Sequence, residues 1–343
     1  MNTRRHHVAV ALFISVLVLA LPISAVAQSK IRLATLAPRG TVYHQALLTM
    51  GEKWSKAPGG GVALTVYTDG NMGNEASMVQ RMRIGQIQAA LLTTIGMSEI
   101  DQSVTALQNM PMMFRTVEEV QFVRGQLRGE LEKKFLDKGF VILCWGDTGW
   151  VRFFSKRPAV KADDFKAMKL FVTAGDQKQV DIMLKAGYHP VPLDWTDALT
   201  GLQTGMVDAV PTAPIVALAG QYYTVTKNML DVKWAPLAGG LVMTKRAWEA
   251  LPAASRDQVK KAAEEAGLEI ERRSRDEEGA AIEAMKKRGL QVQSLNAAQE
   301  ADWHKTAEAF YPIIRGNLVP ADMFDKVQNL LAQYRANGNK GSR

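Results

Sequence analysis

The chain has 343 residues, of which 47% are hydrophobic and 22% are charged, and its formal net charge is +8 at pH 7. These values are typical of a globular protein, and the length predicts two domains because single cores rarely exceed about 250 residues. Charges of both signs are interspersed, without a run of Lys and Arg that alternates with aromatic residues, so no nucleic-acid partner is expected. Cys144 is the only cysteine, and the three histidines after residue 27 are widely spaced. We therefore expect no disulfide, no metal site and no cofactor.

The first 27 residues have the pattern of a secretory signal peptide. Two arginines precede an almost wholly apolar run, and small residues at 25 and 27 form a cleavage signal. Cleavage after Ala27 would release the mature protein into the periplasm. An uncleaved membrane anchor is the alternative.

The mature chain opens as an alternation of strands and helices. Strands are predicted at residues 31–35, 62–68 and 87–93. Helices are predicted between them at residues 41–54 and 74–84. In open sheets of this kind, ligands lie at the carboxyl ends of the strands. The loops at these ends make Leu36, Arg39 and Thr93 candidate ligand contacts.

A second alternation follows a charged helix at 116–136 and a strand at 140–145. Its strands are predicted at residues 151–154, 168–173, 188–191 and 207–210. One more apolar strand is predicted at 240–243. The whole pattern favours an α/β fold in which helices cover the sheet.

Residues 253–287 contain no proline and predict a single helix of about 50 Å, which is longer than a typical domain is wide. Its ends are apolar on one face and its middle is highly charged, so a solvated rod that bridges two domains is expected. Two helices that break near Gly279 are the alternative. A strand at 290–293 and helices from 297 and 321 complete the fold, and residues 337–343 are expected to be disordered.

Several short motifs recur in a defined order along the chain. They are APRG at 37–40, NMG at 71–73, GWVRFFSKRP at 149–158, DFKAMKL at 164–170, PLDWTD at 192–197 and LQTGMVD at 202–208. Together with the long helix, their order and spacing resemble the periplasmic solute-binding subunits of tripartite ATP-independent periplasmic (TRAP) transporters. The resemblance covers residues 30–335.

The resemblance implies the α/β, two-domain periplasmic binding protein fold, with mixed sheets flanked by helices and a cleft between the domains. Domain I would comprise residues 28–148 and 237–274, and domain II residues 149–236 and 275–336. The cleft would close by hinge bending near 145–149, 233–239 and Ser274. The implied partners are a small-molecule ligand and the TRAP membrane permease subunits, with an accessory periplasmic protein left open. No enzymatic activity is implied.

Members of the family usually hold a carboxylate with two arginines and an asparagine. The matching positions here are Phe171, Val151 and Ala213, whereas the aromatic residue that covers the ligand is retained as Trp195. The predicted ligand-binding residues are Leu36, Arg39, Thr93, Trp150, Val151, Arg152, Phe171, Trp195 and Ala213.

These departures predict an unusual ligand. A carboxylate without a paired donor in a dry cleft would cost several kcal/mol. We therefore expect an apolar or amphipathic ligand, such as a fatty acid or lipid, an aromatic compound, or a cation stacked on rings. A conventional organic acid bound by Arg152 or Arg39 is one alternative, and a lipid-shuttling or sensory binding protein is another. Core packing is the alternative role of each aromatic residue.

Overall fold

The structure, a computed structural model, describes residues 28–338, within which the chain forms nine strands and eleven α-helices. The strands are β1 (Ser29–Thr35), β2 (Val62–Tyr67), β3 (Ala89–Thr93), β4 (Phe140–Ser155), β5 (Lys169–Thr173), β6 (His189–Leu193), β7 (Ala209–Thr212), β8 (Asn228–Thr244) and β9 (Gln291–Ser294). The helices are α1 (Val42–Ser55), α2 (Glu75–Arg83), α3 (Thr94–Ser98), α4 (Val117–Asp137), α5 (Gln177–Lys185), α6 (Ala198–Thr204), α7 (Pro214–Ala219), α8 (Lys245–Ala250), α9 (Ala253–Lys286), α10 (Ala297–Ile314) and α11 (Ala321–Gly338). Short 3₁₀ segments lie at Gln102–Leu107, Ala162–Ala167, Trp195–Asp197 and Tyr222–Thr224.

The strands form one mixed sheet in the order β2-β1-β3-β8-β4-β7-β5-β6, and β9 pairs with β8. The pairs β1–β2, β1–β3, β5–β6 and β5–β7 are parallel, whereas β3–β8, β4–β8 and β4–β7 are antiparallel. The predicted α/β architecture with mixed strands and flanking helices is confirmed. The signal peptide predicted at 1–27 and the last five residues of the predicted tail lie outside the described part.

Two long strands connect the two ends of the sheet. The start of β4 pairs with the end of β8 beside β3, and the end of β4 pairs with the start of β8 beside β7. The register shifts between Asp147 and Trp150, where Gly149 has a φ of +94°. The prediction of separate strands at 140–145 and 151–154 is therefore wrong, because the glycine signal marks a bulge within one strand.

The strand predicted at 240–243 needs the same correction, because a breaker residue again lies within one longer strand. It is only the end of β8, which has 17 residues and continues through Pro236. Pro236 is opposite Trp150, at the register shift, where a missing backbone N–H costs little pairing. The predicted hinges at 145–149 and 233–239, and the domain boundaries beside them, lie on the two long strands β4 and β8. They remain predictions.

Helix α9 is continuous over 34 residues, so the break near Gly279 does not occur. Its middle is not fully solvated as predicted, since Glu271 and Ser274 are buried on the side that packs on β4. Arg272 and Asp276 near them are exposed, whereas Arg275 and Glu278 are partly buried. Helix α11 includes Asn337 and Gly338, so the start of the predicted tail is also corrected.

Both faces of the first part of the sheet are covered. On β4, Ile142 packs into a core with α4, whereas the next residue, Leu143, packs into a core with α1 and α9. This alternation is the expected period of two along a strand. No helix in residues 28–338 is both long enough and apolar enough to cross a bilayer.

Candidate functional site

Two cavities lie side by side where the two ends of the sheet meet. The larger encloses about 460 Å³ and the smaller about 190 Å³. Four residues line both cavities, namely Thr93, Trp195, Thr212 and Leu237. The two cavities therefore adjoin at these residues and together are called the cleft, and the volume of the larger one is in the range of small-molecule sites.

The larger cavity lies between the loop after β1 and the residues around α6 and α7. Leu36 and Pro38 line one wall, and Leu199 and Val216 line the other. Parts of β4, β8 and α9 form its floor. This floor needs close backbone packing, because a Cβ on Gly239 would lie 2.2 Å from the carbonyl oxygen of Leu92.

The smaller cavity is walled by aromatic rings from distant parts of the chain. Phe153 on β4 lies 5.6 Å from both Trp234 on β8 and Trp303 on α10, measured between ring centroids. The rings of Phe153 and Phe165 are 4.8 Å apart. These side chains make the smaller cavity predominantly apolar.

Trp195 separates the two cavities and is held in place on three sides. Its ring lies 4.5 Å from the ring of Phe171 and stacks at 6.4 Å on Tyr222. The Trp195 Nε1 donates a hydrogen bond of 3.1 Å to Oγ1 of Thr173. The indole is therefore fixed by packing and by its only donor, which favours a rigid ligand-facing surface.

The cleft lining contains no basic side chain among the described residues. Asp69 and Glu75 are its only charged members within residues 28–338. The Glu75 carboxylate accepts hydrogen bonds from the Thr93 backbone N–H and hydroxyl, both at 2.6 Å, and from the Gly96 N–H at 3.0 Å. Burial raises the pKa of Glu75, and these hydrogen bonds oppose the rise.

Arg152 lies behind the cleft and not in it. Its Nε is 2.5 Å from Asp231 Oδ1, and its Nη1 is 3.0 Å from Glu278 Oε1. It also donates to the carbonyl oxygen of Trp150 at 3.3 Å. The guanidinium is therefore already paired, while Val151, on the opposite side of the strand, lines the smaller cavity.

The predicted ligand-binding residues divide into those that line the cleft and those that do not. Leu36, Thr93, Val151, Phe171 and Trp195 line the cleft. Arg39, Trp150, Arg152 and Ala213 do not line either cavity. Arg39 is exposed, Trp150 is buried with Lys233 Nζ 5.7 Å from the centroid of its ring, and Ala213 is buried beside the lining residue Thr212.

Several lining residues were not predicted from the sequence. Tyr43, Tyr222, Trp234 and Trp303 all face the cleft. The helical spacing of Tyr43 with Ala46, Leu47 and Met50 is that of an ordinary core stripe, so α1 gave no functional signal.

A hydrogen bond links the two sides of the cleft. Asn74 Oδ1 accepts from the Ser77 N–H at 2.9 Å and so caps α2, while its Nδ2 donates to Asp194 Oδ1 at 3.0 Å. Asp194 directly precedes Trp195. The loop before α2 is thereby tied to the segment that carries the central indole.

Reactive groups are scarce at this site. Burial raises the pKa of the Cys144 thiol to about 11, so the thiol that lines the larger cavity is protonated at neutral pH. No group of His, Cys, Asp and Glu residues with metal-binding geometry occurs in the described residues.

Comparison with protein families gives a match over most of the chain. Residues 33–315 match the model described as "Bacterial extracellular solute-binding protein, family 7". The C4-dicarboxylate-binding periplasmic protein DctP of Rhodobacter capsulatus is 23% identical over 258 residues, which cover 75% of this chain and 76% of that protein. The sialic acid-binding periplasmic protein SiaP of Vibrio cholerae is 22% identical over 284 residues, or 81% of this chain and 87% of that protein.

Solved structures show the same fold. A TRAP periplasmic solute binding protein from Ralstonia eutropha, with bound (S)-2-acetolactate, has a TM-score of 0.82 at 21% identity and covers 89% of this chain and 99% of its own. A second, from Shewanella oneidensis with bound succinate, has a TM-score of 0.82 at 17% identity and covers 89% of this chain and 100% of its own.

Proposed function

This chain belongs to the bacterial extracellular solute-binding proteins of family 7, and on that premise we propose that it captures a small apolar or amphipathic ligand in its cleft. The family resemblance expected from the motifs is confirmed. The chain is a solute-binding protein of the TRAP transport type, and its family binds substrates without catalysis. Delivery of the ligand to TRAP membrane permease subunits, directly or through an accessory periplasmic protein, is part of the proposal.

One observation carries the proposed ligand class. Within residues 28–338, neither of the two adjoining cavities has a Lys, Arg or His side chain in its lining. A buried carboxylate needs charge-assisted hydrogen bonds, of which a bidentate arginine is the strongest. Phe171, at the position of the family arginine, is 1% exposed and packs on Trp195. Apolar surface is therefore what this cleft offers a ligand.

The relatives support a second candidate, which is the capture of an organic acid. DctP and SiaP are named for acids, and the Shewanella oneidensis structure contains succinate. In this chain, such an acid would need Arg39, which is exposed outside the lining, or the release of Arg152 from Asp231 and Glu278.

Three probes of similar shape distinguish the two candidates. Ethylbenzene, 4-ethylphenol and 4-ethylbenzoate differ only in one substituent, and succinate represents the acids of the relatives. Binding shifts the thermal midpoint by mass action, so all four probes are compared at one fixed concentration, and calorimetry gives the dissociation constants of those that bind. We expect stabilisation by the two uncharged probes. Stabilisation by succinate or 4-ethylbenzoate alone would contradict the apolar cleft.

A substitution of Phe171 tests which residue excludes acids. Phe171→Arg places a donor at a position of β5 that lines the smaller cavity, so it should create or improve binding of 4-ethylbenzoate. Phe171→Leu is the matched control and should leave acid binding absent. If Phe171→Arg folds but gains no affinity for acids, position 171 does not contact the ligand.

A further inference from the structure

Gln108 is a buried carboxamide within an otherwise apolar part of the chain. It follows the 3₁₀ segment Gln102–Leu107, it is 9% exposed, and it lines the smaller cavity. Residues 104–107 and 110–114 on either side of it are buried. Burial of an amide costs free energy unless the amide is hydrogen-bonded, so the partners of Gln108 indicate its role.

The oxygen of this carboxamide is held by the protein. Gln108 Oε1 accepts a hydrogen bond of 3.0 Å from the backbone N–H of Ala238 on β8. Because a backbone N–H can only donate, the oxygen must face Ala238, and the amide nitrogen occupies the other branch. Ala238 directly follows Leu237, which lines both cavities. The Gln108 donor is therefore fixed in one orientation beside the place where the cavities adjoin.

The nitrogen of the same carboxamide is free to donate. Gln108 Nε2 has no hydrogen-bond partner among residues 28–338, yet it is not one of their fully buried unpaired polar atoms. It therefore retains accessible surface. Since the residue is buried and lines the smaller cavity, the accessible space beside it is that cavity. An acceptor that enters the cavity would satisfy this donor.

The polar surroundings of Gln108 are uncharged. Asn109 and Gln179 of α5 line the same cavity and are partly buried, so three carboxamides contribute to its lining. Carboxamides have no net charge and cannot compensate a desolvated carboxylate as a paired arginine does. The two charged lining residues, Asp69 and Glu75, are acidic and belong to the larger cavity. The smaller cavity therefore favours an acceptor without charge.

A fixed donor among apolar rings matches a carbonyl group best. A carbonyl oxygen needs only a donor, whereas a hydroxyl also brings a proton that needs an acceptor. We propose that the ligand carries an uncharged carbonyl group on an apolar or aromatic body, and that Gln108 Nε2 donates to this carbonyl in the smaller cavity. The body would pack on the rings of Phe153, Trp234 and Trp303. This inference rests on the proposed apolar cleft and specifies the polar group of its ligand.

The experiment compares 4-ethylacetophenone with 4-ethyl-α-methylstyrene, which have the same shape and differ only in a C=O or a C=CH₂ group. Calorimetry on the mature full chain should show that the ketone binds about tenfold more tightly, because only the ketone satisfies the buried donor. Gln108→Met keeps the length of the side chain and removes the donor, so it should reduce this preference to less than about threefold. A purely structural loss would weaken both probes equally and leave their ratio unchanged.

The matched control is Gln102→Met. Gln102 is the first residue of the same 3₁₀ segment and lines neither cavity, so this variant should retain the full preference for the ketone. Equal affinity of the wild type for both probes, or an unchanged preference in Gln108→Met, would overturn the inference while leaving the apolar cleft intact. Binding of succinate or 4-ethylbenzoate alone, or of no probe at all, would instead overturn the proposed function and the inference with it.

The carbonyl stretch of the bound ketone provides the second measurement. A hydrogen bond to a carbonyl oxygen weakens the C=O bond and lowers its stretching frequency. Difference infrared spectra should therefore show a lower frequency for 4-ethylacetophenone in the wild type than in an alkane solvent, and Gln108→Met should move it back towards the alkane value. An unshifted frequency in the wild type would show that no donor contacts the carbonyl, and it would contradict the inference even if Gln108→Met did not fold.

Discussion

The lining of the cleft and the layer directly behind it differ in their charged side chains. The lining has no basic side chain among the described residues, and its apolar walls come from both ends of the sheet. Behind it lie two groups of buried or partly buried ion pairs. The Asp147 cluster comprises Arg124, Asp147, Glu271 and Arg275. The Arg152 cluster comprises Arg152, Asp231 and Glu278.

The difference indicates a structural role for Arg124, Arg152 and Arg275. Both clusters join α9 to β4, and the Asp147 cluster also includes α4. These ion pairs join the long strands to the bridging helix, and they leave the lining of the cleft without a basic side chain among the described residues. Arginine content therefore says little about ligand charge, because only cleft-facing arginines contact the ligand.

The largest expected effect is the loss of Arg124. Its Nη1 lies 2.5 Å from Glu271, and the side chains of both Asp147 and Glu271 are 3% exposed. Arg124→Met would leave two buried carboxylates with Arg275 alone, and it should lower the free energy of unfolding by about 3 kcal/mol. Urea unfolding measures this change.

Arg128→Met is the matched control, one turn later on α4. Arg128 pairs with Glu132 and Glu264 at the surface, where its side chain is 45% exposed. Solvent screens such pairs, so the expected cost is about 0.5 kcal/mol. Equal losses of unfolding free energy in Arg124→Met and Arg128→Met would contradict the difference in stability between the buried Asp147 cluster and the surface ion pairs.

The next effect concerns Arg152 and separates stability from binding. Arg152→Met should lower the free energy of unfolding by about 2 kcal/mol, because Glu278 is left without its cation. Affinity for 4-ethylphenol should change less than about twofold, since the guanidinium does not line the cleft. Loss of acid binding in Arg152→Met, but not in Arg39→Met, would instead make Arg152 the anion anchor.

A smaller effect is expected from pH. Burial raises the pKa of Glu271 above its ordinary value of 4.5, and Arg124 opposes the rise. The stabilisation that belongs to protonated Glu271 is fully present below about pH 4.5 and is lost as the pH rises through the raised pKa. Because Arg124→Met removes the opposing charge, its deficit against the wild type should grow between pH 5 and pH 8, by about 1 kcal/mol. A constant deficit across this range would show that the deficit does not arise from these carboxylates.

The smallest effect is expected at the contact between Asn74 and Asp194. Asp194→Ala removes the 3.0 Å hydrogen bond from Asn74 and should change the free energy of unfolding by less than about 1 kcal/mol. Affinity for 4-ethylphenol should fall about threefold, because this contact would hold the two sides of the cleft together in the predicted hinge closure. Asp197→Ala, in the same segment, is the control and should leave the affinity unchanged. Equal affinities in both variants would show that the Asn74–Asp194 contact does not contribute to closure.

Much of the fold was predictable because its signals are local. The alternation of strands and helices, the uninterrupted α9 and most element centres follow from apolar periodicity and from breaker residues. The sequence was misleading where a local signal had a tertiary role. Gly149 and Pro236 are typical of strand ends, yet both lie within strands that cross between the two ends of the sheet.

The candidate site was predictable only in part, for a related reason. Motif positions identified Val151, Phe171 and Trp195, which all line the cleft. Tyr43 and Trp303 have the spacing of ordinary core residues, and nothing local distinguishes a ring that faces a cavity from one that faces a core. Trp150, by contrast, was predicted as a contact and is buried outside both cavities.

The sequence by itself determined the family, the α/β alternation and the absence of the usual anion-binding residues at three positions. It also indicated that Val151 and Arg152 lie on opposite sides of a regular strand, with a bulge that turns Arg152 inward as the alternative. Only the tertiary structure decided which side meets the cleft, because that depends on strand pairing and on the long-range partners Asp231 and Glu278. Long-range packing likewise brought Tyr43 of α1 and Trp303 of α10 to the cleft lining.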